Sequence, residues 1–210
     1  MVACPLALLP EYSGTVAADR ALLEQIRKSS VLIVGRMSAR ERYKGHDQLL
    51  ESWPRVLRVV PGAQLVVAGK GDDLERLRAK AGALGIGGDV LFPGFVSEET
   101  LAALRERVSV FAMPSSGEGF GLVYLDAMRA ALPCIGGSRD AGAEVIVDGE
   151  TGICVDPSDT EALSSAVSLL LTTPELREAY GAAGRRRFDA VFTFERYCER
   201  LLPILRNAFT

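Results

Sequence analysis

The order in which short apolar runs and helical patterns alternate constrains this chain more than any other feature. VLIVG (31–35), AQLVVAG (63–69), DVLFPG (89–94), VSVFAMP (108–114), LPCIGG (132–137) and GICVDP (152–157) each read as a strand. Helical patterns follow at 44–60, 72–84, 97–108 and 121–131, and the fifth run leads into a loop and a short turn region. Ser97 with Thr100, and the acids between them, read as a helix start. Strands joined through helices make a parallel sheet whose two faces are both covered, so its strands are apolar throughout rather than alternating. The expectation is a doubly wound α/β domain over residues 30–210, with helices at 159–172, 174–188 and 194–208 added at the C-terminal end. Residues 1–29 fit the pattern least and read as a lead-in segment.

A chain of 210 residues, 48% hydrophobic and 24% charged, can bury one sizeable core. A net charge of -3 gives no global reason to expect nucleic acid or an anionic membrane as partner, so any basic site must be local. Cys4, Cys134, Cys154 and Cys198 form no CxxC pair, which points to neither zinc nor a disulfide framework and fits reduced thiols in the cytoplasm. The opening MVACPLALLP lacks a basic n-region and reads poorly as a signal peptide, and no apolar run has the length of a membrane span. His46, the only histidine, excludes a histidine-cluster metal site, argues against a Ser-His-Asp triad and reads as a surface residue at a helix start.

Ligands of open α/β sheets bind beyond the carboxyl ends of the strands. Gly35-Arg36, Gly69-Lys70-Gly71, Gly94 and SSGEGFG stand at such places. SSGEGFGLV is a glycine-rich turn running into a helix, whose unpaired amides and positive dipole end suit a phosphate. Gly119 and Gly121 would let an anion approach the backbone, although a ligand-free turn explains the residues equally well. Between Phe120 and Pro133 only Asp126 and Arg129 are charged, so the helix should be largely buried and Asp126 needs a partner. Were 118–126 helical throughout, Asp126 would lie about 12 Å from Glu118, a span suited to a sugar, a diphosphate and a ribose. Pairing with Arg129 at i,i+3 spacing is the alternative. Residues 36–44 hold Arg36, Arg40, Arg42 and Lys44 against Glu41, a basic concentration in an acidic chain that suits a leaving diphosphate or, more plainly, a solvated loop.

EGFGLVYLDAM resembles the donor-site motif of retaining GT-B-fold glycosyltransferases, in which two glutamates flank seven residues. The similarity continues through VGRMSARERYKGHDQLL, LVVAGKGDDLERL, VLFPGFVSEETLAAL, FAMPSSGEGFG and AEVIVDGETGICV, from about Val31 to Phe194. The resemblance implies the Rossmann-like, C-terminal, donor-binding half of such an enzyme, without the N-terminal half that binds the acceptor. It implies that Glu118 contacts the transferred sugar and that Asp126, an aspartate where the family has glutamate, meets the ribose. It assigns Arg36 and Lys44 to the diphosphate, with Arg42 able to share the role of Lys44 because the loop is long. Phosphate and sugar contacts fall to the amides of Phe120, Gly121 and Leu122, beside Gly119. Gly35 lets the donor pass close to the strand end, and Phe95 and Val96 seat the base. A hexose would pass from a nucleoside-diphosphate sugar to an acceptor hydroxyl with retention, without a metal or other cofactor. Acceptor glycan, lipid or small molecule would be bound by the other half, and the whole enzyme could associate peripherally with the inner membrane face.

GKGDDL (69–74) lacks the third glycine of a dinucleotide fingerprint and reads as a surface turn. RRRF (185–188) reads as structural at a helix end, DGETG (148–152) as a turn, and Glu144 as ordering the loop before it. No Asp-x-Asp occurs, which weakens a metal-dependent nucleotide-sugar reading. Two other enzymes share parts of this pattern: a nucleotide-sugar epimerase of the same fold, and a nicotinamide-dependent oxidoreductase, which would need a full glycine fingerprint where this chain has VGRMSARER. A phosphorylase needs a longer chain and pyridoxal phosphate. A non-catalytic binding module is the remaining alternative.

Overall fold

A computed structural model describes residues 4–10 and 17–208. Six strands, β1 (Ser30–Val34), β2 (Gln64–Ala68), β3 (Val90–Gly94), β4 (Val110–Met113), β5 (Cys134–Gly137) and β6 (Gly152–Val155), form one parallel sheet. Their order is β3-β2-β1-β4-β5-β6. The chain therefore starts at the centre, winds outward to β3, then returns to lay β4 on the other side of β1. That reversal opens a crevice above the carboxyl ends of β1 and β4, where the loops lead away in opposite directions.

The helices are α1 (Arg20–Leu23), α2 (His46–Val59), α3 (Leu74–Ala83), α4 (Glu98–Arg107), α5 (Leu122–Arg129), α6 (Ala141–Val145), α7 (Thr160–Thr172), α8 (Pro174–Arg187) and α9 (Phe194–Ala208). α2 packs on α3 and α7, while α5 packs on α6 and α8, and α1 on α4. The sheet is covered as its sequence requires. Val31, Leu32, Ile33 and Leu65 are wholly buried, and so is Trp53, which α2 presses into the core. Burial of each such side chain contributes about 1.5–3 kcal/mol, which makes the strand cores the main source of stability. Ser97 caps α4 by accepting the Thr100 amide at 3.2 Å, as its sequence predicts.

The described parts of the lead-in are packed on the domain. Asp19 caps α1 and donates its own amide to Thr100 Oγ1 at 3.0 Å, while Leu22 and Leu23 enter the core. Arg27 donates to the Gly62 and Gly88 carbonyls and pairs with Asp89. Further upstream, the Leu8 amide donates to the Phe192 carbonyl beside the π-helical turn that joins α8 to α9.

Candidate functional site

The crevice is walled on the β1 side by the basic loop. That loop is held from below by the turn after β2. A Cβ on Gly69 would overlap the Gly35 carbonyl oxygen, and one on Gly71 the Met37 carbonyl oxygen. Close approach of two backbones requires glycine at both positions. Hydrogen bonds complete the seam: the Met37 amide donates to the Lys70 carbonyl (3.0 Å), the Asp73 amide to the Met37 carbonyl (2.9 Å), and the Ala39 amide to Asp72 Oδ1 (3.0 Å). GKGDDL is thus a turn, as read from sequence, with the added task of supporting the loop that carries the cations.

Within the loop, Arg36 is ion-paired with Glu41. Lys44 Nζ stands 3.8 Å from Glu41 Oε2 and 3.8 Å from Glu118 Oε2. Gly35 leaves room for this lysine, because a Cβ there would lie 3.1 Å from Lys44 Cδ. Arg42 takes another course. Its guanidinium is bidentate on Asp73, at 3.0 and 2.9 Å, and Arg76 joins the same carboxylate and Asp47. Arg76 and Arg42 hold the Asp73 carboxyl far below the usual carboxylate range, and Arg76 and Lys80 lower Asp47 to about 2. Arg42 is therefore an anchor between the loop and α3 and does not share the position of Lys44, which corrects that expectation.

His46 also departs from its sequence reading. It begins α2, but it is buried, at 5% exposure, and its Nε2 lacks a hydrogen-bond partner. Burial, with Lys44 nearby, pushes the imidazole down to about 4. Its ring backs onto Gly35, where a Cβ would sit 3.8 Å from Cε1. Neighbouring Gly45 adopts a φ of 90° and lies so close to Pro114 that a Cβ would be 2.6 Å from that residue's carbonyl oxygen.

On the β4 side, the Ser115–Gly121 turn is pinned by Asp140. Asp140 Oδ2 accepts from Ser115 Oγ (2.5 Å) and from the Glu118 amide (2.8 Å), while Oδ1 caps α6 at the Gly142 amide (2.9 Å). The Ser116 amide donates to the Tyr43 carbonyl at 2.9 Å, which joins the turn to the basic loop. Asp140, rather than Glu144, orders this region; at residue 144 the carbonyl oxygen accepts from Arg187. Gly121, at a φ of 69°, stands at the N-cap of α5 with no side-chain cap, so the first amides of that helix, including that of Leu122, face the crevice without an intrahelical acceptor. Gly119 has open space where a side chain would stand, and Phe120 is 67% exposed.

Because α5 begins at Leu122, residues 118–121 are not helical, and the 12 Å helical span between Glu118 and Asp126 does not apply. Asp126 pairs with Arg129 at 2.8 Å, the alternative weighed from its spacing, and also with buried Arg105 of α4 at 3.4 Å. The long-range partner carries no local sequence signal. Phe95 and Val96 follow β3, two strands from β1, and help line an open cavity of about 530 Å³ with Leu22, Gln25 and Thr100. Lys70 Nζ lies 5.2 Å from the exposed Phe95 ring. A second cavity of about 420 Å³ adjoins Gly119 and Phe120 and is lined further by Glu144 and Arg187. Thus Gly35, Arg36, Lys44, Glu118 and the start of α5 meet at the crevice, whereas Asp126 sits in its own ion-pair cluster.

The switch point of this Rossmann-like sheet thus brings together two cations, Arg36 and Lys44, two carboxylates, Glu41 and Glu118, and an uncapped helix start, the kind of place where open α/β sheets take ligands. The family described as "Glycosyl transferases group 1" matches residues 19–187, and the chain belongs to it. A GDP-mannose-dependent alpha-(1-6)-phosphatidylinositol monomannoside mannosyltransferase of Mycolicibacterium smegmatis is 38% identical over 149 residues, 68% of this chain and 39% of that protein. The protein of the same name from Mycobacterium tuberculosis is 35% identical over 171 residues, 78% of this chain and 44% of the relative. The chain therefore spans about two fifths of the length of these relatives. Among solved structures, a sucrose-phosphate synthase from Thermosynechococcus elongatus superposes with a TM-score of 0.80 at 29% identity, covering 90% of this chain and 48% of that one. The C-terminal domain of a group 1 glycosyl transferase from Francisella tularensis, at 22% identity and a TM-score of 0.72, shares the fold over 85% of this chain and 95% of its own. Family membership sets aside the nicotinamide-dependent alternative. No helix among the described residues is long and apolar enough to cross a membrane.

Proposed function

We propose that this chain is the donor-binding half of a retaining, metal-independent hexosyltransferase, and that its donor is GDP-mannose. The convergence of Arg36, Lys44 and Glu118 at the start of α5, beside the switch point, carries this reading. The names of the relatives supply the donor. The bond between the anomeric carbon and the phosphate oxygen breaks, and the diphosphate leaves with negative charge growing on its oxygens. Arg36, Lys44 and the amides of Phe120, Gly121 and Leu122 stabilise that charge as it develops, where it lowers the barrier most. The acceptor hydroxyl, held by the other half, attacks from the face the diphosphate leaves, and its proton passes to a phosphate oxygen. Glu118 orients the sugar through its hydroxyls.

Asp126 meets the ribose. Among the described contacts Oδ1 serves Arg129 and Oδ2 serves Arg105, a carboxylate has about four acceptor sites, and its side chain is 23% exposed. Phe95 and Val96 seat the guanine. Cytoplasmic placement of the whole enzyme, with peripheral attachment to the membrane, fits a lipid acceptor of the kind named for the relatives.

Calorimetry with GDP, UDP and ADP tests the donor: GDP binds at least about tenfold, or 1.4 kcal/mol, more tightly than the others. Equal affinities would remove GDP-mannose from the proposal. In the enzyme assembled with its acceptor-binding half, Glu118→Ala lowers turnover by about 10²-fold or more, since misorienting a substrate is that costly. Unchanged turnover would take Glu118 out of the mechanism.

A further inference from the structure

The two cations assigned to the diphosphate already hold an anion. Glu41 is the one acid within residues 36–44, and the fold directs it inward. Its amide donates to the Ser38 carbonyl at 2.9 Å, and its own carbonyl accepts the Lys44 amide at 3.2 Å, so its backbone is fixed within a tight turn. From there one carboxylate oxygen, Oε1, pairs with Arg36 while the other, Oε2, faces Lys44 at 3.8 Å. Oε2 is buried and accepts no hydrogen bond. A carboxylate so placed, only 15% exposed, spans both cations and leaves one of its buried oxygens unsatisfied. The unsatisfied oxygen, rather than the contact with Arg36, whose side chain is 75% exposed, makes this costly for a purely structural pair.

We propose that Glu41 is a placeholder for the donor diphosphate: while the site is empty it pairs with Arg36 and, together with Glu118, offsets the charge of Lys44, and it must swing away when a diphosphate enters. The inference rests on the functional reading above, since it assumes that these two cations are the diphosphate seat. Retaining Glu41 beside a bound diphosphate would set like charges within a few ångströms of each other in a half-buried crevice, where repulsion is screened less than in water. The side chain must therefore leave, and the diphosphate binds only the fraction of molecules in which it has left. If the Glu41-paired state holds about nine tenths of the population, the apparent affinity is reduced about tenfold. The loop backbone need not move, because Met37, Ala39 and Arg42 are tied independently to the Lys70–Asp73 turn. Glu41 thus sets how weakly the site holds its product diphosphate as well as its donor.

The test is isothermal calorimetry of GDP and of inorganic pyrophosphate with the wild type, Glu41→Gln, Glu41→Ala, Arg36→Ala and the Arg36→Ala/Glu41→Gln pair. Both Glu41 variants are expected to bind both probes about 3- to 10-fold more tightly. The gain shrinks toward nothing in the Arg36→Ala background, because the placeholder then lacks its partner. A loop merely loosened by the substitution would weaken binding instead. Should the wild type bind GDP and Arg36→Ala weaken it, while neither Glu41 variant tightens it, the placeholder role is overturned and the site assignment stands. Should neither probe bind the wild type or the Glu41 variants, both the placeholder and the site assignment fall.

Discussion

Asp140 shows how one side chain can set the geometry of a candidate site. Its carboxylate bonds Ser115, the Glu118 amide and the Gly142 amide at once, so a single side chain sets the turn carrying Glu118 and the start of α6. Charge-assisted hydrogen bonds of this kind contribute about 1.5–3 kcal/mol each. Asp140→Ala is expected to lower stability by about 2–3 kcal/mol in urea unfolding and to weaken turnover through misplacement of Glu118. A variant with wild-type stability would show that the turn is held by other contacts. Asp126 makes a second residue-scale case. Removing it takes one carboxylate from buried Arg105 and from Arg129, and a buried pair broken on one side costs about 3–5 kcal/mol, less here because Asp126 is part-exposed and both arginines keep other contacts. Asp126→Ala should therefore destabilise by about 2–3 kcal/mol, read by urea unfolding, and weaken GDP binding by about 1–3 kcal/mol while leaving pyrophosphate binding unchanged. Equal loss of both ligands would place Asp126 away from the ribose.

At the scale of elements, the start of α2 makes stability depend on pH. Unfolded, the His46 imidazole titrates near 6.5; folded, burial pushes it down to about 4. Between those values the unfolded chain binds a proton that the folded chain does not. Stability is then full above about pH 6.5 and falls as the pH drops toward 4, by about 3 kcal/mol in all. His46→Gln is expected to flatten that part of the profile, measured by urea unfolding at pH 7, 6, 5 and 4. A parallel profile in the variant would show that His46 does not carry the effect. The strands and helices themselves were legible in the sequence, because apolar runs and helical periods are local signals: α3, α7, α8 and α9 lie within two residues of their expected bounds. The turn that carries Glu118 was legible for the same reason. What the sequence hid were partners brought from afar. Arg105 reaches Asp126 across two helices, Asp140 reaches Glu118 across 22 residues, and Gly71 meets Met37 only after β1 and β2 pair. Burial of His46 is likewise a tertiary fact, since nothing in HDQLL says that the first turn of α2 lies under Gly35.

At the scale of the molecule, the order of the strands decides where chemistry is possible. Because β4 returns beside β1, the loop bearing Arg36 and Lys44 and the turn bearing Glu118 rise from adjacent strands yet lead away from each other, which leaves a crevice between them. The rest of the sheet serves to hold those two strand ends still, through a core buried on both faces and helices pinned by α2–α7 and α5–α8 packing. Phe95, after β3, and Phe120 and Leu122, after β4, are exposed large apolar side chains at this end of the sheet. We propose above all that a diphosphate rests against Arg36, Lys44 and the first amides of α5. A crystal structure with GDP-mannose tests it most directly. The diphosphate is expected between the two cations and the helix start, the mannose at Glu118 and the Glu41 carboxylate turned aside. A nucleotide bound elsewhere, with Glu41 still joined to Arg36 and Lys44, would contradict it.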